Sequence, residues 1–210
     1  MFLGIDLGTS SLKALVLDVD GAIVGSAAAS YSMSAPQPGW SESDPQDWWQ
    51  AAATAARQAA GDHAAEIAAI GLSGQMHGVV LSDDMGQPLR PAILWPDVRT
   101  RRQLDAYREL GQDMRRKLAN PPATGMAGPT LLWLRDHERP HYRAAQWALQ
   151  AKDWLRLRLI HEAATEPSDA SGTLLYDIPG EGWDLEIRDV LGIDLERLAL
   201  VREQRPSGSG

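Results

Sequence analysis

Gly4-Ile5-Asp6-Leu7-Gly8-Thr9-Ser10-Ser11-Leu12-Lys13 is the stretch on which the reading of this chain turns. An apolar segment ends in Asp6, a Gly-Thr-Ser-Ser segment follows, and a second apolar run carrying Lys13 begins at Leu12. This order predicts a buried strand, a tight turn and a returning strand. Successive backbone N–H groups and hydroxyls in such a turn form a concave donor surface for an anion, and glycine permits close approach. Gly8, Thr9, Ser10 and Ser11, with Lys13 beside them, are therefore candidate phosphate-binding residues. Asp6 would sit next to the phosphates, where a carboxylate can hold Mg²⁺ directly or through water. The alternative is an ordinary hairpin in which Asp6 and Ser10 satisfy their own backbone. The spacing matches neither the Walker A loop nor the G-x-G-x-x-G dinucleotide fingerprint.

Outward from this stretch, the first thirty residues read as strands Phe2 to Asp6, Leu12 to Asp18 and Ala22 to Tyr31. Asp20-Gly21 between the last two is a hairpin signal and makes them antiparallel neighbours. Asp44 and Pro45 suit the cap and first turn of a helix running to about Ala60, with Trp48, Trp49, Ala52, Ala56 and Ala59 as its buried stripe. Strands are expected over Glu66 to Ser73 and Gly78 to Ser82, joined by a Gly74-Gln75-Met76-His77 bend, and Asp83 to Gly86 reads as a turn. Arg99 to Leu118 predicts one long helix stopped by Asn120-Pro121-Pro122. A Gly125 to Pro129 loop opens a short helix, Ala148-Leu149 is a short strand, Asp153 is a candidate helix cap, and Asp184 to Leu191 is a last amphipathic segment. Strands first, then strands alternating with helices, argue for a mixed α/β domain.

The chain has 210 residues, with 28 acidic against 20 basic side chains, and no cysteine. Disulfides, thiolate nucleophiles and cysteine-held zinc are thereby excluded. The acidic balance opposes generic binding to phosphate backbones, so no nucleic-acid partner is expected, although Arg99 to Arg102 with Arg115, Arg116 and Lys117 could form a local basic patch. No apolar run approaches the ~20 residues needed to span a bilayer, and no basic n-region precedes Gly4, so a soluble cytoplasmic protein with no membrane partner is the expectation.

Two further clusters carry candidate chemistry. Gln75, Met76 and His77 stand at a glycine-flanked strand end, where they can offer hydrogen bonds and an adaptable apolar wall to a polyol. Trp95, Asp97 and Arg99 alternate in Ile93 to Arg99, as a ligand wall or as an intramolecular ion pair. His137-Glu138-Arg139-Pro140-His141 matches the zinc-protease pattern literally. Pro140 breaks the helix that would put both histidines on one face, so zinc is rejected.

Gly4 to Ser10, Trp40-Ser41-Glu42 to Trp48-Trp49, Gly74 to Gly78, Arg90 to Trp95 and Lys152 to Arg158 occur in an order that resembles the N-terminal domain of the FGGY carbohydrate kinases, in their bacterial xylulokinase branch. The resemblance runs from residue 2 to about 200. It implies an actin-like ATPase fold of ribonuclease H-like topology and ATP-dependent phosphorylation of D-xylulose at its 5-hydroxyl in a cleft between two domains. It further implies that Asp6 organises metal and phosphates and that Gly8 to Ser11 form the phosphate hairpin. Met76 and His77 would contact the sugar, Gln75, Trp95, Asp97 and Arg99 would shape its pocket, and Asp169 would line the floor. Met76-His77 favours xylulose over glycerol, since glycerol kinases carry an Arg-Glu pair there; ribulose, gluconate and a non-catalytic sugar-binding role are the alternatives.

The chain departs from the family pattern at Pro96, where asparagine is usual, and at Thr130, where a lysine precedes the Leu-Leu-Trp helix. Family members carry a second domain with an adenosine pocket and a Gly-Asp-Asn motif whose aspartate is the expected general base. No such triplet occurs in these 210 residues. The expectation is a domain over 1–200, a linker-like tail over 201–210, no activity for this portion alone, and an apolar surface patch that favours self-association, with a homodimer as the candidate assembly.

Overall fold

Period-two alternation builds the central sheet. In β1 (Phe2–Leu7), Leu3, Ile5 and Leu7 are buried on one side, and in β2 (Ser11–Leu17), Leu12, Ala14 and Val16 join them. The computed structural model describes residues 1–202 and pairs β1 with β2 antiparallel, Leu7 opposite Leu12. Then β3 (Ile23–Ser30) runs antiparallel to β2 through the predicted turn, in which Gly21 takes φ 83° and the Asp18 N–H donates to the Ala22 carbonyl at 3.0 Å.

After β4 (Glu42–Ser43), helix α1 (Pro45–Ala60) starts where Asp44 predicts it, the Asp44 carboxylate accepting the Gln46 N–H. Trp48, Ala51, Ala52, Ala55 and Ala59 form its buried stripe, while the expected Trp49 and Ala56 are only half-buried at its margin. The helix lies so close to β3 that a Cβ on Gly25 would fall 2.1 Å from the Ala59 carbonyl oxygen. A 3₁₀ turn, Gly61–Glu66, takes the first residue of the expected Glu66 to Ser73 strand, so β5 begins later, as Ala69–Gly74. It pairs parallel with β1, giving the order β3-β2-β1-β5. The sheet is mixed, as the strand pattern required.

The rest of the described chain forms β6 (Val80–Ser82), β7 (Ala92–Ile93), α2 (Leu104–Arg108), α3 (Gln112–Leu118), α4 (Ala127–His137), α5 (Arg139–Ala144), β8 (Trp147–Leu149), α6 (Ala151–Ile160), β9 (Ala164–Thr165), α7 (Pro167–Ser171), β10 (Tyr176–Asp177), β11 (Gly182–Trp183), α8 (Leu185–Leu191) and β12 (Leu200–Val201). The long helix expected over Arg99 to Leu118 is therefore corrected to two short ones. The Asp97 carboxylate captures the Arg99 N–H at 2.8 Å and starts the segment as a turn, and Gly111, with ψ 154°, breaks the path between α2 and α3. Asp153 is not a helix cap: Gln150 holds that position, and Asp153 sits buried in the first turn beside Lys152. Val201, placed in the expected tail, pairs with Thr165; residues 203–210 of that tail lie outside the described residues. The helix through His137 ends there, and Glu138, at φ −125° and ψ 48°, separates it from α5, so His137 and His141 lie on different helices.

Helices α1 and α6 cover one side of the sheet through a core that includes Trp48, Trp154 and Leu155. The opposite side is open. Across it run Ile23, Leu17 and Phe2, then Leu15 and Gly4, then Lys13, Asp6 and Ser73, with Phe2 47% and Ile23 66% exposed. Among the described residues no helix is long and apolar enough to cross a membrane.

Candidate functional site

Strands β1 and β5 are parallel neighbours, so the segments following them leave the same sheet end side by side. This is where open α/β sheets bind ligands. The β1 segment is the Gly8-Thr9-Ser10 turn and the β5 segment is the Gly74 to Gly78 loop, joined at the root by the Gln75 N–H donating to the Leu7 carbonyl at 2.7 Å. Asp6 is exposed on the open face, directly between Lys13 and Ser73 in the register. Among the described residues its carboxylate makes neither a hydrogen bond nor an ion pair. Mg²⁺ takes one or two protein carboxylates and completes its shell with water and substrate phosphates. Asp6 fits that requirement, and no cluster of three metal-binding side chains exists among the described residues.

The turn is tightly made. Gly8 N–H donates to the Ser11 carbonyl at 3.1 Å, and a Cβ on Gly8 would come within 2.9 Å of that same oxygen, so the residue type is dictated by space. Tyr31, just past β3, holds the turn at two points: its N–H donates to the Ser10 carbonyl at 3.1 Å and its hydroxyl to the Gly8 carbonyl. Burial, reinforced by the negative charge of Asp6, pushes the Tyr31 phenol well above its ordinary range, so it stays a donor. Trp95 closes the turn from the other side, Nε1 donating to Thr9 Oγ1 at 3.1 Å.

On the sugar-facing candidates the structure is specific. Met76 and Trp95 are exposed, at 60% and 48%, and supply apolar walls. His77 takes φ 62° and Gly78 φ 52°. The Gly78 N–H donates to the Gly125 carbonyl at 3.2 Å, while a Cβ on Gly125 would lie 2.0 Å from the Trp95 carbonyl oxygen. Three backbone segments thus meet with no side chain between them. Both polar atoms of the Gln75 amide are buried without a partner among the described residues.

Asp97 and Arg99 resolve as the ion pair rather than the ligand wall. Asp97 is wholly buried; it accepts the Ser41 N–H at 2.6 Å and pairs with Arg99 at 2.8 Å. Arg99 also reaches Glu42 at 2.7 Å and stacks on Trp40, and Arg90 ties Glu42 to Glu138. Neither Asp97 nor Arg99 presents a charge to the open face; together they brace the turn that carries Trp95. Of the residues expected in a basic patch, Arg99 is withdrawn into this cluster and Lys117 is paired with Glu186, while Arg101, Arg102, Arg115 and Arg116 stay exposed. Thr130 is buried in α4, away from any open surface. Asp169, in α7, gives its carboxylate to Lys152 at 3.2 Å. Burial works against the Lys152 charge, but Asp153 and Asp169 outweigh it and hold the ammonium above the ordinary lysine range.

The profile of the FGGY family of carbohydrate kinases, N-terminal domain, matches residues 1–206. The chain belongs to this family. Among curated relatives, the xylulose kinase of Escherichia coli K12 is 37% identical over 208 residues, covering 99% of this chain and 42% of its own, and that of Staphylococcus xylosus is 37% identical over 195 residues, covering 91% and 40%. The crystal structure of a xylulose kinase from Brucella ovis superposes with TM-score 0.87 at 37% identity, over 95% of this chain and 42% of that one. This FGGY domain therefore has the actin-like ATPase fold, and spans about two fifths of the relatives it matches. Sequence reasoning missed Tyr31 and Gln150. Tyr31 carries no signal beyond ending a strand, and Gln150 none at all, because both act through backbone groups that only the fold brings near.

Proposed function

We propose that residues 1–200 of this FGGY chain form the sugar- and phosphate-holding domain of a xylulose kinase, working on D-xylulose with ATP and Mg²⁺ in the cytoplasm. The observation that carries this reading is the adjacency of the Gly8 turn and the Met76-His77 loop on neighbouring parallel strand ends, bridged by Trp95 and Thr9. Phosphoryl transfer needs donor and acceptor positioned together and charge neutralised, with little covalent chemistry from the protein. Membership of a carbohydrate kinase family makes ATP the phosphoryl donor in this reading. The N–H groups and hydroxyls of Gly8 to Ser11 and the Lys13 ammonium would bind its phosphates, Asp6 would hold the Mg²⁺ that neutralises them, and Met76, His77 and Trp95 would orient the ketose. In this reading Asp97 and Arg99 keep the Trp95 turn in place, and Lys152 keeps Asp169 in place.

Calorimetry on the 210-residue chain tests the reading. D-xylulose is expected to bind more tightly than glycerol or D-ribulose, and Asp6→Asn to weaken Mg²⁺-dependent ATP binding while leaving the sugar affinity intact. Equal affinity for the three polyols would leave only the family assignment. A coupled ADP-release assay is expected to show no turnover by residues 1–210 alone, because they hold no Gly-Asp-Asn base; rates of roughly 1–100 per second would overturn that part. The apolar row of Phe2, Leu15, Leu17 and Ile23 supports self-association of this chain, which light scattering across a concentration series would detect as a rising mass.

A further inference from the structure

His77 and Gly78 both sit in the left-handed region, which is uncommon for a residue with a side chain and is kept where the surroundings hold it. The side chain that holds the His77 backbone is that of Gln150, 73 residues away in sequence and 4% exposed. Its Oε1 accepts the His77 N–H at 2.8 Å, and its Nε2 donates to the Asp169 carbonyl at 2.6 Å. An N–H can only donate and a carbonyl only accept, so the orientation of this amide is dictated by its partners. The ring is held as well. His77 Nδ1 lies 3.1 Å from the Gly172 carbonyl oxygen, and a Cβ on Gly172 would meet Nδ1 and Cε1 at 3.0 Å each. Because the carbonyl has no proton to give, Nδ1 carries the hydrogen, and in the neutral ring Nε2 keeps its lone pair.

We infer that Gln150 is a positioning residue: by locking the His77 backbone to the middle of α7, it sets the Nδ1–H tautomer against Gly172 and leaves Nε2 as the acceptor for a substrate hydroxyl. This rests on the reading of the 74–78 loop as the sugar-binding loop, and the tests separate the two. Gln150→Met keeps the length of the side chain and removes both hydrogen bonds. Gln150→Glu keeps an acceptor for the His77 N–H and loses the donor to Asp169. Gly172→Ala crowds the ring alone.

In the 210-residue chain, ¹⁵N spectra are expected to show the Nδ1–H tautomer of His77 and a slowly exchanging His77 amide. Gln150→Met is expected to speed exchange of that amide by about tenfold or more, to shift the ring toward the other tautomer, and to weaken D-xylulose binding by about 10- to 100-fold. Gln150→Glu should retain protection of the amide, and it supplies the reading if Gln150→Met does not fold. Gly172→Ala should move the tautomer and leave the amide protected. A His77 amide and ring that look the same in Gln150→Met as in the parent chain would overturn the inference, as would a loss of sugar affinity with the ring unmoved. If the parent chain binds no sugar at all, the functional reading of the loop fails, and the exchange and tautomer data still decide whether Gln150 positions His77.

Discussion

The two halves of the candidate site are held in opposite ways. The Gly8 turn is a product of its own neighbourhood: β1 and β2 pair in register, Gly8 and Ser11 close the bend, and Tyr31 binds it from the end of the next strand. The 74–78 loop is held by residues far along the chain, with Gln150 on its backbone, Gly172 on its histidine, Gly125 on its glycine, and an ionic cluster behind Trp95. The bend is closed by bonds among residues of the first three strands, whereas the shape of the 74–78 loop is set by segments packed around it from far along the chain. Damage should therefore spread differently from the two sides.

The largest effect is expected on the distant supports. Arg99→Met leaves Asp97 and part of Glu42 as buried uncompensated carboxylates, so unfolding free energy should fall by about 3–5 kcal/mol in a denaturant titration. A loss below about 1 kcal/mol would show that the cluster does not brace the Trp95 turn. Next, Gly125→Ala places a Cβ into the Trp95 backbone at a positive φ, and Gly8→Ala meets the Ser11 oxygen at a less severe distance. The first should cost about 3 kcal/mol and the second about 1 kcal/mol, and equal values would erase the contrast between the halves.

Tyr31→Phe removes only the hydroxyl bond to the Gly8 carbonyl, for a loss of about 1 kcal/mol and weaker binding of ATP, with sugar affinity unchanged. The smallest effect concerns Glu166, whose carboxylate caps α7, the helix that Gln150 ties to the 74–78 loop. Burial alone would push its carboxyl up, but hydrogen bonds from the Ser168 hydroxyl and N–H and the Asp169 N–H, with the Lys152 charge, hold it below the ordinary 4.5. A carboxyl held down in the folded state contributes stability above that ordinary value and loses it as pH falls through the lowered one. The gap in melting temperature between the parent chain and Glu166→Gln should accordingly close on acidification, and a gap that stays constant with pH would deny Glu166 this role.

Much of the architecture is legible in the order of the residues. The strand alternation of Leu3, Ile5 and Leu7, the Asp20-Gly21 turn and the Asp44-Pro45 start of α1 all rest on contacts within a few residues. Expectation and fold part where a local pattern meets a distant partner. Arg99 to Leu118 has helical composition, yet Asp97 takes the backbone at its start and Gly111 divides it. Asp153 has the side chain of a cap but is drawn instead to Lys152. Trp95, Asp97 and Arg99 stand out as a group in the sequence, and only burial assigns Trp95 to the surface and the other two to its support.

Residue order alone determined the sheet's first three strands, the helix laid across them and the bend that follows an exposed aspartate, because hydrogen-bond periodicity and turn chemistry act over short stretches. Tertiary structure decided which residues hold the histidine loop, where charges are interred and which side of the sheet stays bare. The histidine loop and the interred charges depend on groups brought together across 48 to 95 positions, and no spacing within a short window encodes that proximity.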